Sequence, residues 1–188
     1  MVVLLSGGLD STVLAYWLKD RYPEKTFKAL FFDYGQRSLE KELESARWVA
    51  DKLGMDLRVI RLPKLTGTGV VIPNRNMIML SIAAGLALAE KRHVWIASHR
   101  DDWDVFPDCR PEFIQAMNKA IRLGNDIDWD MVKAPFLFMR KWEIVKLGME
   151  LGVPFEKTWT GYKGSEKPCG ECLACREREL AFRMAGMR

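Results

Sequence analysis

The feature that most limits what this chain can become lies within its first eighteen residues, in the stretch VVLLSGGLDSTVLAYWL. An apolar run at residues 2–5 gives way to Ser6-Gly7-Gly8-Leu9-Asp10-Ser11, after which apolar residues fall at helical spacing through residue 19. A strand here delivers the chain to the carboxyl edge of a sheet. Two glycines let backbone N–H groups approach a ligand closely, and the next helix aims its unpaired N–H groups and positive dipole end at the same spot. Such a place suits phosphate. The stretch lacks the Gly-Lys-[Ser/Thr] ending that gives a γ-phosphate its lysine, and its two glycines do not fit the dinucleotide fingerprint. Asp10 is the unusual member: an acid beside phosphates makes sense if Mg²⁺ lies between them, or if it caps the helix.

The same alternation continues downstream. Apolar runs at 27–32, 57–62, 94–97 and 132–136 read as further strands, and helical spacing recurs at 39–53, 77–91, 111–123 and 141–151. The helix at 77–91 is almost wholly apolar and is expected to be buried between the sheet and another layer. Together these predict an α/β fold: a parallel five-stranded sheet with helices on both faces, binding its ligand beyond the carboxyl ends of the strands. At 188 residues the chain fits one such domain, large enough to bury about 70% of its unfolded surface. From Thr158 the pattern breaks into glycines, a proline and three close cysteines before a short helix at 177–184. This tail (158–188) reads as a metal-held element packed on the domain formed by 1–157.

Composition narrows the partners. A net charge of +4, spread along the chain, permits an anionic ligand or an RNA contact and argues for neither. A strand pattern directly follows Met1, and no run of about 18 apolar residues occurs, so no membrane span and a cytoplasmic location are expected. Two glutamines and four asparagines, beside many charged residues, fit a heat-adapted source.

Four later stretches place chemistry-bearing residues at the ligand edge. Asp33-Tyr34-Gly35-Gln36-Arg37 follows the second strand, where Tyr34 and Gln36 are placed to hold an adenine or ribose, or form a simple glycine turn. Val71-Ile72-Pro73-Asn74-Arg75-Asn76 sets Arg75 at the mouth of the buried helix, as a phosphate or carboxylate partner or as a surface charge. Phe106-Pro107-Asp108-Cys109-Arg110-Pro111-Glu112-Phe113 follows a loop carrying Asp101, Asp102 and Asp104; its acids serve a ligand or cap the helix at Pro111. Lys141 opens a late helix, again at the carboxyl edge, where it is either a solvated charge or the lysine the first loop lacks. In the tail, Cys169, Cys172 and Cys175 repeat every three residues and can wrap around one metal.

Ser6-Gly7-Gly8-Leu9-Asp10-Ser11 resembles the SGGxDS loop of the PP-loop ATP pyrophosphatases. With the four later stretches and the cysteine block at 169–175 in order, the chain resembles the 7-cyano-7-deazaguanine synthase (QueC) family over nearly its whole length. The resemblance implies that 7-carboxy-7-deazaguanine, ammonia and ATP give 7-cyano-7-deazaguanine: the carboxylate is adenylated, ammonia makes the amide, and a second activation dehydrates it to the nitrile. It further implies ATP and Mg²⁺ at Leu5, Ser6, Gly7, Gly8, Leu9, Asp10, Ser11, Thr12, Tyr34 and Gln36, with Asp10, Arg75 and Lys141 as the catalytic group. The deazapurine is expected at Asp102, Asp108, Arg110 and Glu112, carboxylates taking its guanine-type N–H edge and arginine its carboxylate. No side chain reads as a covalent nucleophile. A homodimer is implied, with no membrane and no stable nucleic-acid partner.

The chain departs from the family in two places. Gly161 stands where a fourth cysteine is expected, and Ser38 where a histidine often follows the GQR stretch. Zn²⁺ on Cys169, Cys172 and Cys175 then needs a noncysteine fourth ligand, from Glu166, His93, His99 or water; an iron–sulfur cluster with one open iron, or a weakened or empty site, are the alternatives. Two other functions compete with the synthase reading. One is another PP-loop adenylating enzyme, such as a tRNA-thiolating one. The other is a zinc-knuckle nucleic-acid module, disfavoured because from Lys163 to Arg188 six basic residues are set against four glutamates and Phe182 is the one aromatic.

Overall fold

Strands β1 (Val2–Leu4), β2 (Lys28–Asp33), β3 (Asp56–Arg61), β4 (Val94–Trp95) and β5 (Val132–Lys133) form one sheet in the order β3-β2-β1-β4-β5, every pairing parallel. The computed structural model describes all residues except Lys163, Ser165, Glu166 and Arg188. Helices α1 (Leu9–Arg21), α2 (Leu39–Leu53), α3 (Arg75–Leu88), α4 (Pro111–Asn125), α5 (Lys141–Glu150) and α6 (Leu173–Ala185) cover both faces. Because side chains alternate along a strand, each strand feeds two cores. Val3, Leu5, Ala29 and Phe31 pack with α1, α2, α5 and α6, while Val2, Leu4, Leu30 and Phe32 pack with α3 and α4. Each large apolar side chain so buried contributes about 1.5–3 kcal/mol.

Strand order reverses at β1: the chain first steps outward to β2 and β3, then crosses to β4 on the other side. Loops leaving β1 and β4 therefore diverge and open a crevice between them, where sheets of this kind bind ligands. The close approach of α5 to α1 beneath that crevice needs Gly148. A Cβ there would lie 2.6 Å from Phe155 Cζ and 2.9 Å from Val13 Cγ2.

Several elements differ from the sequence expectation. The first helix starts at Leu9, so Asp10 and Ser11 lie inside its first turn and extended Gly8 is the cap. β4 and β5 pair over two residues each, shorter than 94–97 and 132–136. Beyond Lys133 the chain turns at Pro135, which has no N–H to give the ladder, and beyond Ile96 it carries Ser98 and His99 to the crevice. α3 is not enclosed: Met79, Leu80, Ala83, Ala84 and Ala87 are buried, but Met77 and Leu86 face outward because α3 is itself the outer layer. α6 begins at Leu173 with Cys172 as its cap, earlier than 177. Its Ala181, Phe182 and Ala185 pack into the α1–α5 core, which ties the tail to the domain.

Candidate active site

The glycine loop is shaped by its own serines. Ser11 Oγ donates to Gly8 O at 3.1 Å and accepts from Ser6 N–H at 3.2 Å, and the Ser6 and Ser11 hydroxyls lie 3.0 Å apart. Gly7 has φ 75°, and a Cβ there would sit 2.3 Å from the Glu42 carbonyl oxygen, so α2 presses on the loop where no side chain fits. On its other side the loop is closed by the tail, Trp159 N–H donating to Gly7 O at 2.9 Å. Leu5 and Leu9 are core residues and contribute backbone alone to the edge.

Beneath the loop lies a chain of charges drawn from four elements. Asp10 Oδ2, in the first turn of α1, is 3.2 Å from Lys141 Nζ at the start of α5 and 3.6 Å from His99 Nε2 after β4. His99 Nε2 is 3.5 Å from Asp102 Oδ2, and Lys141 Nζ is 3.7 Å from Glu177 Oε2 on α6. Burial opposes the charge on Asp10, yet Lys141 and His99 hold its carboxyl well below the usual range. Burial likewise opposes charge on Lys141 and His99, and their carboxylate partners outweigh it, raising both pKa values. For Asp102 burial dominates and the pKa is raised. Lys141 is held in place from below: Asp101 Oδ2 accepts its backbone N–H at 2.9 Å, while Oδ1 takes Arg140.

Asp10 Oδ1, Thr12 Oγ1 and His99 Nδ1 are buried and find no hydrogen-bond partner among the described residues. Buried polar atoms left so are uncommon, and three of them gathered at one loop leave room there for a ligand's polar groups. An unpartnered carboxylate oxygen under an N–H-rich glycine loop fits a Mg²⁺–phosphate pair.

A second group faces the first across the crevice. Arg75, at the start of α3, lies close to the Tyr34 phenol and to Asp108. Asp108 Oδ2 accepts Asn76 N–H at 3.1 Å, so it caps α3 from another segment. Gln36 holds its own loop: its amide donates to Phe32 O and Glu42 Oε2 at 3.1 Å each, and accepts Tyr34 N–H at 3.0 Å. Ser38 is buried and donates to Glu42 Oε1 at 2.6 Å. Burial pushes the Tyr162 phenol up to about 12, and the charges of Glu177, Lys141, Arg75 and Asp102 also act on it, so it lies near both groups.

Not every predicted residue joins them. Arg110 is exposed, and its Nε donates to Trp103 O at 2.7 Å. Glu112 points outward from α4 and lines a surface hollow with Gln115, Lys119, Arg122 and Asp130. An arrangement in which Asp108, Arg110 and Glu112 converge is therefore not what the structure contains: Pro111 starts α4 and turns Glu112 to its outer face. Conversely, His99 entered the sequence reading as a metal ligand only, and Glu177, Arg178 and Glu42 did not enter it. His99 was traceable from its place after a strand next to β1; Glu177 and Arg178 carry no local signal.

Cys172 Sγ is 3.5 Å and Cys169 Sγ 3.9 Å from Cys175 Sγ, and all three lie within 4.8 Å of one another. Metal–sulfur bonds of about 2.3 Å in a tetrahedron put sulfurs about 3.8 Å apart, so this donor set fits a metal. Backbone N–H groups of Glu171 and Cys172 favour the Cys169 thiolate, while burial disfavours that of Cys175. A Cβ on Gly161 would lie 3.6 Å from Cys175 Sγ, so this position borders the cluster and offers it no ligand. His99 is engaged with Asp10 and Asp102, and His93 packs against Trp129 and Trp95, so neither is the fourth ligand; Glu166 lies outside the described residues.

A doubly wound parallel sheet with an SGGLDS loop at its switch point and a thiolate cluster behind it defines the PP-loop class. Solved structures of similar fold include the U34-tRNA thiolase NcsA of Methanococcus maripaludis with its [4Fe-4S] cluster (TM-score 0.58, 16% identity, 98% of this chain and 65% of that one) and the NMN synthetase of Francisella tularensis (0.57, 15%, 100% and 77%). At the sequence level, the model of the queuosine biosynthesis protein QueC matches residues 1–71 and 65–186. The 7-cyano-7-deazaguanine synthases of Archaeoglobus fulgidus and Nitratiruptor are 41% and 40% identical, each over 100% of this chain and over 87% and 95% of their own lengths. The chain belongs to the QueC family.

Proposed function

We propose that the protein converts 7-carboxy-7-deazaguanine and ammonia to 7-cyano-7-deazaguanine, consuming one ATP in each of two activations. The observation that carries the reading is Lys141, which α5 brings to 3.2 Å from Asp10 and which supplies from afar the lysine absent from the glycine loop. A carboxylate resists ammonia until one oxygen becomes a good leaving group, and AMP is that group when the α-phosphate faces the substrate. The loop N–H groups and Lys141 hold the departing pyrophosphate. Asp10, with an unpartnered carboxylate oxygen under the loop, would hold a Mg²⁺, which when bound would supply further neutralisation of that charge. Tyr34 lines the nucleotide side, with Gln36 fixing its backbone. Arg75, braced by Tyr34 and near Asp108, is better placed than exposed Arg110 for the substrate carboxylate, while Asp102 and Asp108 face its N–H edge.

The cysteine cluster is assigned to one Zn²⁺. Its sulfur spacing supports a single tetrahedral ion over a cubane, whose thiolates bind separate irons and stand further apart. A cytoplasmic location and a homodimer complete the reading, the latter checked by sedimentation. The decisive experiment incubates zinc-loaded protein with 7-carboxy-7-deazaguanine, ammonium, Mg²⁺ and ATP and looks for the nitrile by mass. Absence of nitrile, with pyrophosphate released only when tRNA is added, overturns the reading in favour of a tRNA-modifying enzyme.

A further inference from the structure

We infer that the cysteine site and the ATP loop are energetically coupled through α6, with Glu177 as the positioning residue that carries most of the coupling. This rests on the ATP-dependent reading above. Cys172 caps α6 and Cys175 lies in its first turn, so a metal bound there fixes the direction in which that turn leaves the cluster. The next residues reach both sides of the glycine loop. Glu177 Oε2 lies 3.7 Å from Lys141 Nζ, which is in turn 3.2 Å from Asp10. Arg178 donates to Thr158 Oγ1 at 2.6 Å, Thr160 Oγ1 at 3.2 Å and Phe155 O at 2.7 Å, and so fixes the segment whose Trp159 N–H closes the loop at Gly7.

The far end of α6 does not need the metal. Ala181, Phe182 and Ala185 anchor it in the apolar core, so loss of the ion loosens mainly the N-terminal end of α6, where Glu177 directly follows the first turn. Lys141 is shared by two carboxylates. With Glu177 in place its ammonium is held between the two, 3.2 Å from Asp10 and 3.7 Å from Glu177; with Glu177 displaced it is left to Asp10 alone, and the loop loses a cation for pyrophosphate. Among the described residues the cluster offers three ligands, Gly161 adding none, which makes the placement of the first turn more sensitive to occupancy.

Coupling of this kind is reciprocal: whatever factor the metal adds to ATP affinity, ATP adds to metal affinity. The test measures zinc affinity of the full chain by competition with a chromophoric chelator, with and without saturating Mg-ATP. Wild type should bind zinc about fivefold more tightly with ATP present. In Glu177→Gln, zinc affinity without ATP should stay within about twofold of wild type while the ATP effect falls below about twofold. A role confined to holding the tail together gives the opposite pattern: weaker zinc binding and an unchanged ATP effect. That pattern, or a wild-type zinc affinity indifferent to bound ATP, overturns the coupling. Calorimetry separates this from the functional reading, because a wild type that binds no ATP sinks both, whereas one that binds ATP without altering zinc affinity sinks the coupling alone.

Discussion

Lys141 and Asp10 stand far apart in sequence and 3.2 Å apart in the fold, and most of the site's chemistry depends on that one contact. Replacing Lys141 by Ala leaves Asp10 part-buried beside His99 alone. The ligand-free protein should lose about 2 kcal/mol in urea denaturation, the low side for a broken buried pair since Asp10 is partly exposed. Pyrophosphate release should fall about a hundredfold, a cost typical of losing one donor to developing charge. Gly7→Ala tests the loop in another way, because its new methyl group meets the Glu42 carbonyl at 2.3 Å and φ is 75°. ATP binding measured by calorimetry should be lost in that variant. Gly161→Cys places a sulfur at the edge of the cluster, against a backbone φ of 122° that resists a side chain. Zinc affinity should still rise at least about tenfold, since a metal–thiolate bond outweighs strain of about 1–3 kcal/mol.

The elements themselves were largely legible, because periodicity of two and of 3.6 are both written in apolar spacing. Leu39–Leu53 reads the same in sequence and structure, down to Gly54 in left-handed conformation at its end. What failed has local causes. The first helix was set at Thr12 because the acid and hydroxyls before it resemble a loop, whereas Gly8 is the cap. The cysteines masked the start of α6, where Cys172 acts as cap. Gly148 had no visible reason in sequence, being an ordinary helix residue until α1 is laid across it. Gly148→Ala should cost about 1–3 kcal/mol in thermal or urea unfolding, with Val13 and Phe155 forced to move.

At the scale of the molecule, the site is a property of strand order. Asp10 follows β1 and His99 follows β4, and only the reversal of the sheet makes them neighbours. Spacing along the chain contains no trace of this, so the glycine loop, the cysteines and Lys141 at the ligand edge were readable while the links of this cluster to His99 and Glu177 were not. The same cluster sets a pH response in the ligand-free protein. Burial and Lys141 oppose charge on His99, and Asp10 and Asp102 outweigh them and raise its pKa. Stability from the imidazolium is therefore complete below its unfolded-state pKa of about 6.5 and fades as pH rises through the higher folded value. Across neutral to alkaline pH, wild type should lose unfolding free energy relative to His99→Gln, measured by urea titration at each pH. Asp10 acts in the reverse sense, its contribution being complete above about pH 4 and lost only in strong acid. Finally, the bond from Trp159 to the carbonyl of Gly7 imposes an order on synthesis. The cradle is translated well before the segment that closes it, so the closed form of the loop waits on Trp159, and a chain cut before that residue leaves the cradle open.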